Sequence, residues 1–396
     1  MGLLLNNQLF DALRDFSTNF ENITAEMTYD NFKDAVLGGQ SREEVRTMTN
    51  EFLGTAMQFW LNEVIAPDAK DVFEDQNFGR KYYHDFAGYM QNMYVTVGNP
   101  VSPAFKNPQN GKGADPFAVR KPVVEEVFYT FNFDYQNFTT IGMVQLKTAF
   151  ASADGLSRLI AGQMKALASK FKEQVMALKE EALNAAINDE NKPLKAHQVV
   201  SIQISDTPTK DELINFVAEV NNTVDAMTLK ATSAFNRMGW KDVQAKDELV
   251  VLQRANFKNI LKTQLLQSAF NKEDLNLSVD SVIVPSFGGL IATADGTEGT
   301  KLSRKYDENG AFIGFYADSA PEVIIDEDEI QWIDPNEDVI AIVCDRGVIF
   351  ELDQNPYTVE AAYNPRNMLT TYWANKPNGS VHYDPYRNFV VIKKAN

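Results

Sequence analysis

Between Leu156 and Ala182 the chain carries an apolar stripe that only a helix can align. Leu156, Ile160, Met164, Leu167, Phe171, Val175, Leu178 and Ala182 follow one another at steps of three or four. From Leu156 to Ile187 the pattern predicts one helix roughly 48 Å long at 1.5 Å per residue. An average globular helix has only about 11–12 residues. The charged residues Lys165, Lys170, Lys172, Glu173, Lys179 and Glu180 are expected on the opposite, water-facing side. Leu146-Lys147-Thr148-Ala149-Phe150-Ala151-Ser152 leads into this helix. A helix of that length straight after an aromatic, extended region suggests a structural spine. An ordinary core helix of a large domain would show the same period.

The 396 residues suffice for two or three units with a sizeable core. A net charge of −17 and a pI near 4.7 give a surface that repels phosphate. With no Lys/Arg block, sequence-independent gripping of nucleic acid is not expected. The single cysteine, Cys344, excludes an intramolecular disulfide framework. It lies in the apolar run Val339-Ile340-Ala341-Ile342-Val343-Cys344, which reads as a buried strand made in a reducing compartment. Met1 to Asn6 lacks the basic start of a signal peptide, and no run approaches the ~20 apolar residues of a membrane span.

The chain divides by composition. Residues 1–75 read as a helical arm, with Leu9, Leu13, Phe16 and Phe20 on one face. Ser41 and Glu44 form a capping box ahead of Val45, Met48, Phe52, Ala56 and Phe59. Residues 76–145 form an extended region dense in aromatics, including Tyr82, Tyr83, Phe86, Tyr89 and Tyr94. Within it, Asn99–Pro122 is a long loop rich in Pro, Gly and Asn that carries Lys106, Lys112, Arg120 and Lys121. Val123–Ile141 then alternates as strands, with Phe128, Phe131, Phe133, Tyr135 and Phe138. So large an aromatic, extended element is hard to cover with one chain's core, and a partner subunit is one way to cover it.

Residues 146–205 hold the spine helix, the breaker Asn188–Pro193 and a strand over Gln198–Ile204. Residues 206–285 open with a Thr209/Glu212 capping box and a second helix striped by Leu213, Val217, Val220, Val224, Met227 and Ala231, closed by Trp240. A strand at Leu249–Leu252, a helix over Phe257–Phe270 and a strand at Asp280–Pro285 follow. Residues 286–338 read as an inserted β module, with an Asn309-Gly310 hairpin between Tyr306 and Phe312 and the acidic run Asp326–Glu329. Residues 339–396 return to a sheet: Val339–Asp345, Val348–Leu352, a Tyr/Trp-rich tail and Phe389–Ile392.

No chemistry is marked. His84, His197 and His382 lie in separate segments without metal-ligand spacing, and no nucleophile elbow, phosphate loop or dinucleotide fingerprint occurs. The acidic run lacks the calcium-loop pattern and reads as a solvated charge run. A Lys112–Asn isopeptide cross-link between subunits gets little support from residues so common in loops. The expectation is no catalytic, cofactor or metal residues.

The order of parts resembles the major capsid proteins of tailed bacteriophages with the Hong Kong 97-type fold, an α+β architecture. It is most similar to those of short-tailed phages (podoviruses) of Gram-positive bacteria. Leu146–Phe150 is similar to the family's lead-in. Val250–Phe270 with Val282-Ile283-Val284 is similar to its second helix–strand unit. Asp345–Phe350, Asn364-Pro365-Arg366 and Tyr372-Trp373 are similar to its closing region. These stretches span most of residues 146–396; the first 145 match in layout only, and 286–338 looks inserted.

The resemblance implies an N-terminal arm, an E-loop lying over a neighbour's spine helix, a peripheral domain and an axial domain. It further implies hexamers and pentamers closing into an icosahedral shell around double-stranded DNA that is held without specific binding. A portal and a scaffolding protein are the expected further partners, and no extra immunoglobulin-like domain is expected. Candidate contact residues between subunits are Phe128, Phe131, Phe133, Tyr135, Lys112, Arg120, Lys165 and Lys172. Axial contacts are expected in the inserted module or after the second helix, peripheral ones on Leu146–Ile187. An encapsulin-like compartment shell shares the fold and would require a cargo peptide. A carbohydrate-active or metal-dependent enzyme would require a pocket, and a fibre protein β-repeats.

Overall fold

The computed structural model describes residues 42–59, 72–83, 89–96, 123–131, 133–149, 153–189, 191–229 except 206, 233–254 except 242, 277–288, 291–293, 302–306, 312–317, 320–325, 330–353 and 357–395, with a few single positions besides. The Leu9–Phe20 face, Lys106, Lys112, Arg120, Lys121, His84, most of the Phe257–Phe270 helix and the acidic run lie outside the described residues.

In chain order, α1 (Arg42–Phe59) and the short α2 (Val72–Asp75) precede β1 (Arg80–Tyr83), β2 (Tyr89–Thr96), β3 (Val123–Thr130) and β4 (Phe133–Gly142). Next come α3 (Met143–Ala149) and α4 (Ala153–Asn188), the spine. At 36 residues it is about 54 Å long. The lead-in thus forms its own helix ahead of the spine. Then follow β5 (Val199–Ile202), α5 (Lys210–Leu229), β6 (Leu249–Arg254) and β7 (Asp280–Val284). The second helix ends at Leu229, and Trp240 does not close it: its ring packs on Tyr94 and Tyr386.

The expected module contains β8 (Ile291–Thr293), β9 (Leu302–Tyr306), β10 (Phe312–Ala317), β11 (Ala320–Ile325) and β12 (Gln331–Ile333). Among the described residues these strands pair only with one another, β8 with β12 and β10 with β9 and β11. Tyr306 faces Phe312 across the expected hairpin. The chain closes with β13 (Val339–Asp345), β14 (Ile349–Asp353), β15 (Thr358–Asn364), β16 (Leu369–Tyr383) and β17 (Phe389–Lys394).

One sheet has the order β5-β17-β13-β6-β7. Its two faces are both covered. Val250, Leu252, Ile342, Cys344, Phe389 and Val391 face the end of the spine at Leu183, Ala186 and Ile187. Leu249, Val251, Ala341, Val343, Val390 and Ile392 face Leu213, Phe216, Val217, Val220 and Val224 of α5. Burial on both sides explains the unbroken apolar run at Val339–Cys344, where a half-exposed strand would alternate. The other sheet has the order β1-β14-β16-β15, with β4 also on β16. It packs with α1 on Leu156, Ile160, Met164, Leu167 and Phe171 of the spine. The spine therefore belongs to two cores, one at each end.

β16 serves two partners. Leu369–Lys376 pairs with β4, while Ser380–Tyr383 pairs with β14. The register shifts between Lys376 and Gly379. A Cβ at Gly379 would stand 2.3 Å from the Tyr135 ring, so only glycine permits that approach.

Candidate assembly surfaces

β2 and β3 form an antiparallel ribbon, with Tyr89 opposite Thr130 and Thr96 opposite Val123. Side chains alternate across such a ribbon, so each residue's face follows from register. Met90, Asn92, Tyr94, Glu125, Val127 and Tyr129 point toward the body. At the base Met90 and Tyr129 are buried on Phe350 and Leu352, with Val127 and Phe131 beside them. The opposite face presents Met93 (56 % exposed), Val95 (54 %), Val124 (44 %) and Phe128 (54 %) to solvent. These four large apolar side chains share the face with Gln91 and Glu126, and together form the kind of patch, apolar with a polar fringe, that marks a protein–protein contact. Residues 97–122, the expected loop, connect the two strands in sequence.

The inner face is held by a polar clasp. The Tyr94 hydroxyl donates to Asp384, and its ring stacks on Tyr386 at 4.3 Å. The Tyr386 hydroxyl donates to Glu125 Oε2 at 2.6 Å. Asp384 Oδ1 also accepts from the backbone N–H of Tyr386 at 3.0 Å, and Arg387 Nε stands 3.8 Å from its Oδ2. Burial raises the Asp384 carboxyl above its ordinary value, opposed by the bond from Tyr94. Burial and the Asp384 charge together raise the Tyr94 hydroxyl. The Tyr94 shift keeps the proton on the hydroxyl, which donates the hydrogen bond to Asp384.

The spine is fixed at two further points. Lys179, expected on the water-facing side, is fully buried. Its Nζ lies 3.5 Å from Glu351 Oε2. Lys81 Nζ lies 3.4 Å from Glu351 Oε1 and 3.0 Å from Asp353 Oδ2. Lys376 Nζ lies 3.7 Å and 2.9 Å from the same two atoms. The expectation fails because Lys179 stands midway between Val175 and Leu183, on the stripe itself. Buried charges need partners, and β14 supplies the carboxylates, Glu351 and Asp353, that Lys81 of β1 and Lys376 of β16 also share. At the spine's C-terminus the buried Arg237 guanidinium donates to the Ala186 carbonyl, supplying a cation where helix carbonyls lack partners.

The eight contact candidates separate. Phe128 is on the ribbon's outer face, and Phe131 is half-buried at its base. Tyr135, 7 % exposed, is part of the subunit's own core under Gly379. Lys165 is exposed on the spine and Lys172 half-buried there. Lys112 and Arg120 lie outside the described residues, as does the side chain of Phe133. Sequence reasoning missed Met93, Val95 and Val124, although alternation with Asn92 and Tyr94 offered a signal. His197 is exposed. His382 is half-buried, its Nε2 within 2.9 Å of the Thr130 carbonyl. Among the described residues no helix is long and apolar enough to cross a membrane, and no group of His, Cys, Asp and Glu is arranged to hold a metal.

A spine helix shared by two cores, with a ribbon turning an apolar face outward, is the architecture of a shell subunit with the Hong Kong 97-type fold. The capsid structure of Staphylococcus phage Andhra is similar at a TM-score of 0.55 and 13 % identity, covering 83 % of this chain and 85 % of that one. A chain in the structure of the head fiber and inner core protein gp22 of native bacteriophage P68 is similar at a TM-score of 0.52 and 14 % identity, covering 82 % and 85 %. No curated protein matches the sequence. Residues 80–393 match the model of the Phi29-like phage major capsid protein family, and the chain belongs to that family. It is a major capsid protein, a structural subunit that associates with its own copies into the icosahedral shell of the virion.

Proposed function

We propose that this subunit builds the head of a short-tailed phage of Gram-positive bacteria, assembling through hexamers and pentamers around double-stranded DNA. The observation that carries the mode of assembly is the outward apolar face of the β2–β3 ribbon, at Met93, Val95, Val124 and Phe128. A monomer has no use for that surface, and a neighbouring copy covers it. The host reading draws its support from the fold likeness to a Staphylococcus phage capsid.

In this reading residues 1–75 are the arm, 76–145 the E-loop region, 146–205 the spine and peripheral domain, and 206–285 the axial domain. Residues 286–338 are an insertion, and 339–396 the returning sheet. The E-loop, with Lys112 and Arg120 in its long connection, crosses a neighbour's spine near Lys165 and Lys172. Phe128 leads the aromatic contacts, with Phe131 and Phe133 close to the ribbon base; Tyr135 supports them from inside the core. The net charge of −17 suits a wall that does not grip its DNA. A portal and a scaffolding protein complete the assembly, and the subunit has no catalytic role.

Negative-stain electron microscopy with size-exclusion chromatography tests this. Closed shells or rings of five and six subunits are expected. A subunit that stays monomeric at high concentration, with scaffold present, contradicts it.

A further inference from the structure

The ribbon is fastened to its own subunit well beyond its base. The apolar contacts of Met90, Val127 and Tyr129 with Phe350 and Leu352 secure the base of the ribbon. An isolated two-stranded ribbon is marginal in water and free to twist. Tyr94 stands about 14 Å further along from Met90, four residues at ~3.4 Å each. There Asp384 accepts from the Tyr94 hydroxyl and from Asn92 Nδ2 at 3.5 Å on the ribbon side. On the body side it accepts from the Tyr386 N–H, and its own N–H donates to the Val348 carbonyl at 2.8 Å. One buried carboxylate is thus bonded to both parts at once. Tyr386 adds a second tie through its stack on Tyr94 and its bond to Glu125.

We propose that Asp384 and Tyr94 are positioning residues for assembly. Their bond sets the angle of the ribbon against its own subunit, and so the place where its outer face meets the next copy. The proposal rests on the ribbon's being an assembly element, as read above. The clasp itself is a property of the single subunit and is measured there.

Asp384→Asn and Tyr94→Phe are nearly isosteric changes, and Tyr94→Phe keeps the stack on Tyr386. Hydrogen exchange of the unassembled subunit is followed by mass spectrometry. Amides of 89–96 and 123–130 are expected to exchange roughly tenfold faster in both variants, as loss of a charge-assisted bond predicts. Amides of 339–345 and 389–394 keep the wild-type rate. Under conditions where wild-type subunits close into shells of one size, the variants are expected to give mixed sizes or open sheets. Unchanged exchange in the ribbon overturns the clasp, as does an equal rise in the core strands, which marks general destabilisation. Ribbon exchange that rises while shells stay wild-type in size and rate overturns the positioning role. If wild-type subunits form no shells at all, the assembly reading fails while the exchange data still decide the clasp.

Discussion

β13 and the β2–β3 ribbon both carry valines and other large apolar side chains, yet they stand in opposite relations to water. Every residue of β13 is buried, sandwiched between the spine and α5. The ribbon is half-finished: one face packs on Phe350 and Leu352, and the other shows Met93, Val95, Val124 and Phe128 to solvent. Apolar side chains serve stability in one place and association in the other. What separates them is whether the chain supplies its own cover.

Substitutions that treat the two strands alike should therefore give different outcomes. Ile342→Asp buries an unpaired carboxylate and is expected to cost more than about 4–5 kcal/mol, leaving no folded protein by circular dichroism. Phe128→Asp on the ribbon is expected to change stability by less than about 0.5 kcal/mol while abolishing assembly, read by light scattering. If Phe128→Asp unfolds the subunit, the contrast is broken.

The next effect sharpens the account of the spine. Three lysines meet two carboxylates around Glu351. Glu351→Gln removes the carboxylate that all three lysines share and should cost about 3–5 kcal/mol in urea unfolding. Lys179→Met leaves two lysines with two carboxylates and should cost much less. Equal losses would show that packing, and not charge balance, governs the site.

A smaller effect is expected at α5. Glu212 accepts from the Thr209 N–H at 2.6 Å, and the Thr209 hydroxyl accepts from the Glu212 N–H at 3.4 Å. Thr209→Ala should cost about 1 kcal/mol in the same unfolding assay.

The smallest concerns Glu180, raised from 4.5 to about 7 by burial and by Asp334. Between those values the folded carboxyl keeps a proton that the unfolded chain has released. Stability therefore falls as pH rises from about 4.5 to about 7, and the loss persists above. Glu180→Gln should raise the melting temperature at pH 8 and leave it unchanged at pH 4. Partial exposure keeps the gain small.

What the sequence displayed was local order. The spine's stripe, the Thr209/Glu212 box and the Val339–Cys344 strand are legible because each is written in consecutive or helically spaced residues. The sites that join distant segments are not. Lys179 reads as surface until Lys81, Glu351, Asp353 and Lys376 are brought around it. Asp384 sits in Tyr383-Asp384-Pro385-Tyr386, which reads as a turn and reveals nothing of Tyr94, 290 positions away. On the ribbon, aromatic residues drew attention where alternation mattered more. Tyr135 is core, while Met93, Val95 and Val124 are the exposed face.

The most direct measurement is a cryo-electron microscopy reconstruction of shells formed by the wild-type subunit. The account predicts Met93, Val95, Val124 and Phe128 buried against a neighbouring copy, with Tyr94 still on Asp384. A closed shell in which that face remains open to solvent would contradict it.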